Sequence, residues 1–153
     1  MKKLSIFLLL VCSLFSDKIV LSEQNATDMA YQLELKKYPK FLTEAELENG
    51  KKVQFASVKA MMQVYFHQDY FKRHKLLSSN IKKMYVQDYL DGTKIDAKNA
   101  LYIFGSHIVG PHGDDLIPVK NETNAKLFML KNGGTKVLSF ERLSKGLIRY
   151  LDM

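Results

Sequence analysis

The chain has 153 residues, enough for one compact domain and too few for two ordinary ones. With 46% hydrophobic and 25% charged residues it can bury a sizeable core, which excludes disorder as the default. The net charge of +7 (+5 without Lys2 and Lys3) comes from scattered lysines with no recognition motif beside them. That excludes a nucleic-acid binder and suits solubility, or loose association with a membrane surface or an acidic partner.

Met1-Lys2-Lys3 is a basic start, and Leu4 to Phe15 is apolar apart from two serines and one cysteine. Small residues follow at Ser16 and Ser22. This reads as a secretory signal peptide over residues 1–22, because the apolar run is far short of the roughly 20 residues of a membrane span. The mature protein is then periplasmic, or membrane-anchored if the signal is retained. Val11 is a poor residue before a lipidated cysteine, so Cys12 is not read as a lipid anchor. Cys12 is the only cysteine. The mature chain therefore has no disulfide, no cysteine nucleophile and no thiolate metal ligand.

Residues 23–34 are polar and unpatterned and read as a leader tethering a domain over 35–153. Asn49-Gly50 separates two short runs, 41–47 and 52–58, and predicts a hairpin. Ser57 can cap a helix whose positions Val58, Met61, Met62, Tyr65 and Phe66 share one side. Thioethers suit Cu(I), but methionines on an apolar helical side are read here as core filler. Residues 67–80 form a polar connection in which His67 and His74 read as surface residues. Residues 84–89 predict a strand, Asp91-Gly92 a turn, and 94–97 its continuation. Asp88, Asp91 and Asp96 are explained by turn and strand-end roles.

The next strand runs over 100–107 and ends around Gly105. The segment Gly105 to Leu116 (GSHIVGPHGDDL) is the only one that combines special backbone geometry with potential metal ligands. It holds two of the four histidines, His107 and His112, with Asp114 and Asp115 just beyond. Residues 116–119 return as a strand, with Pro118 marking an edge. Asn121 caps a helix to about Lys131 whose core face is Ala125, Phe128 and Met129, and Gly133-Gly134 ends it. Residues 135–140 predict a strand and 141–151 a C-terminal helix. The fold class is therefore α+β: two tandem β-β-α-β units, about 35–89 and 94–153, with a C-terminal helix after the signal peptide.

The chain resembles the NosL family, accessory proteins of nitrous oxide reductase maturation. In the second unit the resemblance is carried by Tyr85-Val86-x-Asp88-Tyr89 and Ile95-Asp96-Ala97-Lys98-x-Ala100. It continues in Gly105-Ser106, Gly110-Pro111-x-Gly113, the helix with Ala125 and Phe128, Gly133-Gly134 and Val137-Leu138-Ser139-Phe140. The first unit adds Gly50-Lys51-Lys52-Val53-x-Phe55, Ser57 and Lys59-x-Met61. The order and spacing cover roughly residues 45–145. The resemblance implies a NosL-like exported fold, related in architecture to the organomercurial lyase, and delivery of Cu(I) to nitrous oxide reductase. It also implies a metal site built from a Cys-x-Met element near the mature N-terminus and a methionine in a Pro-Met-Gly turn.

This chain departs from both elements. The mature part has no cysteine, and the turn is Pro111-His112-Gly113. Ala56 and Ala60 stand where cysteines often begin the first helix. Imidazole also binds copper, so the candidate metal ligands are His112 and His107, then Asp114 and Met29, the last on a mobile leader folding over the turn. The first reading is a copper carrier for nitrous oxide reductase. The alternative is a metal-free docking module of the same pathway, using Tyr65, Tyr70 and Phe71 and binding the reductase or its maturation factors. An enzyme is not expected: lyase-type chemistry needs cysteine thiolates, and no nucleophile–base or paired-carboxylate constellation is visible.

Overall fold

Two antiparallel sheets, each with its own helix, form the body of the protein in a computed structural model that describes residues 17–24 and 26–153. The bulk of the expected signal peptide, residues 1–16, lies outside the described residues. The first sheet has the order β2-β1-β3-β4, from β1 (Thr43–Leu47), β2 (Lys52–Phe55), β3 (Ile81–Gln87) and β4 (Lys94–Asp96). The β1–β2 turn is the expected Asn49-Gly50, with Gly50 at φ +82° and Asn49 Oδ1 accepting from the Lys51 N–H. Ser57 accepts from the Ala60 N–H and starts α1 (Val58–Phe66), as the sequence predicts. Met61 and Met62 are both fully buried, so they are core residues.

The 67–80 connection contains a short helix, α2 (Gln68–Arg73), that the polar sequence concealed. Asp69 in its first turn and Lys72 and Arg73 in its last suit the helix dipole, and Phe71 anchors it in the core. Phe71 is therefore not available as a docking residue, and Tyr65 is partly buried against the same core; of that trio only Tyr70 is well exposed. β4 joins the first sheet, because Gly92 at φ +74° lets it turn straight back onto β3.

The second sheet has the order β6-β5-β7, from β5 (Leu101–Phe104), β6 (Ile117–Val119) and β7 (Lys136–Ser139). Between β6 and β7 runs α3 (Glu122–Asn132), capped by Asn121 and ended at Gly133 with φ +67°. Both units thus have the predicted β-β-α-β order. The C-terminal helix is shorter than expected. Residues Phe140–Arg142 make a 3-10 turn, and Ser144 caps α4 (Lys145–Leu151), which packs on α1.

Alternation along β5 divides the interior. Tyr102 enters the main core with Phe55, Met61, Val86 and Ile148, while Ile103 enters a second core with Ile117, Val119, Ala125 and Phe128. The buried Tyr102 hydroxyl donates to the Ala97 carbonyl at 2.5 Å, a bond whose loss would cost roughly 1–3 kcal/mol. Asp88 Oδ2 ties the units together by accepting from the Lys120 N–H and the Asn124 amide.

The leader is folded onto the domain and does not hang as a tether. Thr27 bridges Glu34, Asp28 is buried, and Leu35 and Ile19 pack with Leu42 and Ala56. Residues 17–22, expected within the signal, also lie on the first sheet. Gln54 Nε2 donates to the Val20 carbonyl, Ser22 donates to Gln54 Oε1, and the Lys94 N–H donates to the Asp17 carbonyl. The leader looked unpatterned because its buried polar groups are satisfied by backbone and side-chain partners, with few apolar residues to announce them.

Candidate functional site

The glycine-flanked turn sits between β5 and β6. Gly110 and Gly113 form a two-residue bridge, the Gly110 N–H donating to the Gly113 carbonyl at 2.8 Å. Gly113 has φ +80°, which a side chain would strain. Gly110 is required by space: a Cβ there would lie 2.6 Å from Asp115 Cβ and 3.0 Å from the Gly113 carbonyl oxygen. Asp115 is buried and Oδ1 accepts from the Lys59 N–H (2.9 Å) and the Leu116 N–H (2.8 Å). The turn is thereby fastened to the N-terminus of α1. Burial pushes the Asp115 carboxyl up to about 6, against the pull of the Ser57 hydroxyl, the two backbone N–H groups and the Lys59 charge. Its Oδ2 is the one buried side-chain polar atom among the described residues without a hydrogen-bond partner.

His112 projects from this turn with 48% of its side chain exposed. Its ring stacks on Tyr31 at 4.0 Å between centroids and 13° between planes. Its Nδ1 lies 3.7 Å from Asp152 Oδ1. Asp152, just after α4, also accepts from the Tyr31 hydroxyl at 2.8 Å and from the Gln63 amide at 3.1 Å. Tyr31 is held in place because Asp28 Oδ1 accepts the Ala30 and Tyr31 N–H groups in a tight turn. Burial raises the Asp28 carboxyl above its usual range, and burial followed by the Asp152 contact raises the Tyr31 phenol.

Beneath these groups lies Lys59, whose side chain has no solvent exposure. Its Nζ donates to the His112 carbonyl at 2.5 Å and the Leu151 carbonyl at 3.0 Å, and pairs with Asp152 Oδ1 at 3.1 Å. It also stands 5.6 Å from the Tyr31 ring centroid. Four separate segments meet at this ammonium: the leader, α1, the turn and the C-terminus of α4.

The structure distributes the expected ligands unevenly. Met29 belongs to the same Asp28–Tyr31 turn that carries the His112 stack, and packs partly buried against the main core. His107 points elsewhere, with its ring against Gly133 at the end of α3 and its N–H bonded to the Asn132 carbonyl. Asp114 lines an adjoining polar cleft of about 330 Å³ with Ser106, Thr135 and Tyr150, which Asp115 and Leu151 also border. His67 and His74 end α1 and α2 with Nδ1 against carbonyls four residues back. Among the described residues no group of three His, Cys, Asp or Glu is placed to hold a metal ion.

The donors that converge at the turn are thus one imidazole, one phenol and one carboxylate, set around a cation the protein itself supplies. A soft-metal centre of several sulfur or imidazole donors does not fit this set as it stands. His112 can offer one nitrogen to a transient ion, with the rest of the coordination supplied from outside. Lys59, Tyr31 and Asp152 escaped sequence reasoning. A lysine next to the cap of an amphipathic helix reads as solvated, and a phenol 81 residues from His112 in sequence has no spacing signal.

The comparisons with known proteins fit this architecture. The crystal structure of the copper chaperone NosL from Shewanella denitrificans superposes with a TM-score of 0.68, covering 84% of this chain and 97% of that one at 17% identity. The solution structure of apo-NosL from Achromobacter cycloclastes gives a TM-score of 0.45 at 22% identity, over 69% of this chain and 87% of that one. No curated protein sequence matches the chain. The NosL family model matches residues 19–148, from the strap that includes Ile19 through both sheets to α4, and the chain therefore belongs to the NosL family.

Proposed function

We propose that this protein is an exported accessory factor in the maturation of nitrous oxide reductase, located in the periplasm, and that copper is its cargo. Family membership and the copper chaperone of the same fold support the context. The observation that carries the cargo reading is the placement of His112: a half-exposed imidazole fixed at the tip of a glycine-flanked turn, beside Tyr31 and Asp152. A single protein nitrogen holds Cu(I) weakly, and weak holding suits handing the ion to an acceptor that completes its coordination. Only metal–ligand bonds are exchanged in such a role and no covalent bond of a substrate is cleaved, so the protein acts as a carrier and not as an enzyme.

The test is anaerobic titration of residues 17–153 with Cu(I) against a weak competing ligand matched to a one-nitrogen site, beside His112→Ala and His107→Ala. The expected result is one-to-one binding that weakens at least tenfold in His112→Ala and is unchanged in His107→Ala. Absence of competitive binding by the wild type overturns the carrier reading. The second reading, a metal-free docking module of the same pathway, then stands, and one observation favours it: the buried Lys59 ammonium already neutralises Asp152.

A further inference from the structure

The second sheet is only partly roofed by its helix. α3 places Ala125 and Phe128 over Ile103, Ile117 and Val119, which belong to β5 and β6. β7 extends beyond it as the outer strand, and no described segment pairs with its free edge. Between α3 and β7 lies an open groove of about 750 Å³. Leu101, Val137 and Leu138 line its strand side, and Ala125 and Met129 its helix side. Val137 is 42% exposed, and α3 also exposes Leu127 and Leu130 outside the groove, by 52% and 83%. A surface helix ordinarily turns polar residues outward; α3 does so with Glu122, Thr123, Lys126 and Lys131 but exposes these two leucines among them. The rim is cationic: Lys126, Lys136 and Arg142 border the groove, against the single acid Glu122.

We propose that this groove receives an extended, acidic segment of a partner protein, which adds a strand to β7 and seats alternate apolar side chains beside Met129 and Val137. The open edge supplies backbone donors and acceptors, the groove supplies alternate apolar sites, and the three cations select the charge of the incomer. The same cations argue against a second copy of this chain, because pairing two β7 edges would bring two sets of these cations to one seam. The position of the apolar lining, beside an unpaired strand edge, argues for a peptide over a lipid surface. This inference does not depend on whether copper is carried.

The experiment uses a fluorescein-labelled octapeptide of alternating glutamate and valine, and a lysine–valine analogue, against residues 17–153. Anisotropy should report saturable binding of the acidic peptide alone, weakened at least tenfold in the Lys126→Glu/Lys136→Glu double variant. Hydrogen exchange of the β7 amides should slow on binding. Both lysines are exposed, so the variant's circular dichroism should match the wild type. The proposal is overturned by no binding, by equal binding of the lysine analogue, or by unchanged exchange in β7. It is equally overturned if the acidic peptide fails and the protein binds vesicles with 30% anionic lipid through Leu130, or dimerises through β7. Peptide binding with no copper binding would retain this proposal and reject the carrier reading; the converse would do the opposite.

Discussion

Replacing Lys59 with methionine tests whether the ammonium is what joins the turn to the rest of the fold. Methionine keeps the unbranched stem, so packing is little changed, while the charge and three contacts are lost: the His112 carbonyl, the Leu151 carbonyl and Asp152. Removing one member of a buried pair costs about 3–5 kcal/mol, mainly because the other charge is stranded. Here the stranded carboxylate keeps the Tyr31 hydroxyl and the Gln63 amide and is 23% exposed. The loss should therefore fall near the bottom of that range, about 3 kcal/mol. Asp152→Ala strands the wholly buried ammonium with only two carbonyls and should cost more, about 4 kcal/mol. The double variant should then be less unstable than the sum of the singles, by roughly 1–3 kcal/mol. Urea unfolding measures all three; at a slope of about 1.5 kcal/mol/M, Lys59→Met should move the midpoint by about 2 M with the slope unchanged. Single losses below about 1 kcal/mol, or strict additivity, would show that Lys59 and Asp152 do not form a coupled pair.

Three further outcomes are expected. Gly110→Ala should cost about 2 kcal/mol by thermal melting, because its Cβ would meet Asp115 Cβ at 2.6 Å and backbone on the other side; a melting temperature equal to wild type would show that the turn can shift. The Asp115 carboxyl holds its proton up to about pH 6 when folded and only to 3.8 when not. The Asp115 contribution to stability should therefore be fully present below pH 4, fall by about 3 kcal/mol as the pH rises to 6, and level off above. Urea midpoints across that range should fall more steeply in the wild type than in Asp115→Asn, which keeps only the smaller slope of carboxyls such as Asp28. Tyr31→Phe keeps the stack on His112 and loses the hydroxyl bond to Asp152, so it should cost about 1–1.5 kcal/mol by the same assay; a loss above about 3 kcal/mol would mean that the hydroxyl also organises Lys59.

The body of the fold was readable because its signals are local. Asn49-Gly50 lies within a hairpin, Ser57 within three residues of the N–H it caps, and Gly133 directly after the helix it ends. Periodicity correctly sent Met61 and Met62 inward. What failed was local in appearance and tertiary in cause. Residues 67–80 looked like a connection because α2 is held by one aromatic, Phe71, and not by a repeating apolar side. The leader looked like a tether because the residues that seat it, Ile19, Leu35 and Asp28, are far apart and each has partners in other elements.

The site was legible only as a turn. Its glycines announce themselves, and His112 follows from them, but the residues around it come from four segments with no common spacing. The same reasoning explains why proximity in sequence misled for His107. Five residues separate it from His112, yet β5 ends before it and its ring is drawn to the bare backbone of Gly133, whose lack of a side chain makes room for it. Tyr31, 81 residues away, reaches His112 because Asp28 folds the leader back toward the turn. A buried lysine is the most informative of these residues. Desolvating an ammonium is costly unless its bonds are made, and Lys59 makes them to the turn that carries His112 and to the end of α4. Through the His112 carbonyl and Asp152, which also receives the Tyr31 hydroxyl, Lys59 fixes the backbone from which His112 meets the Tyr31 ring.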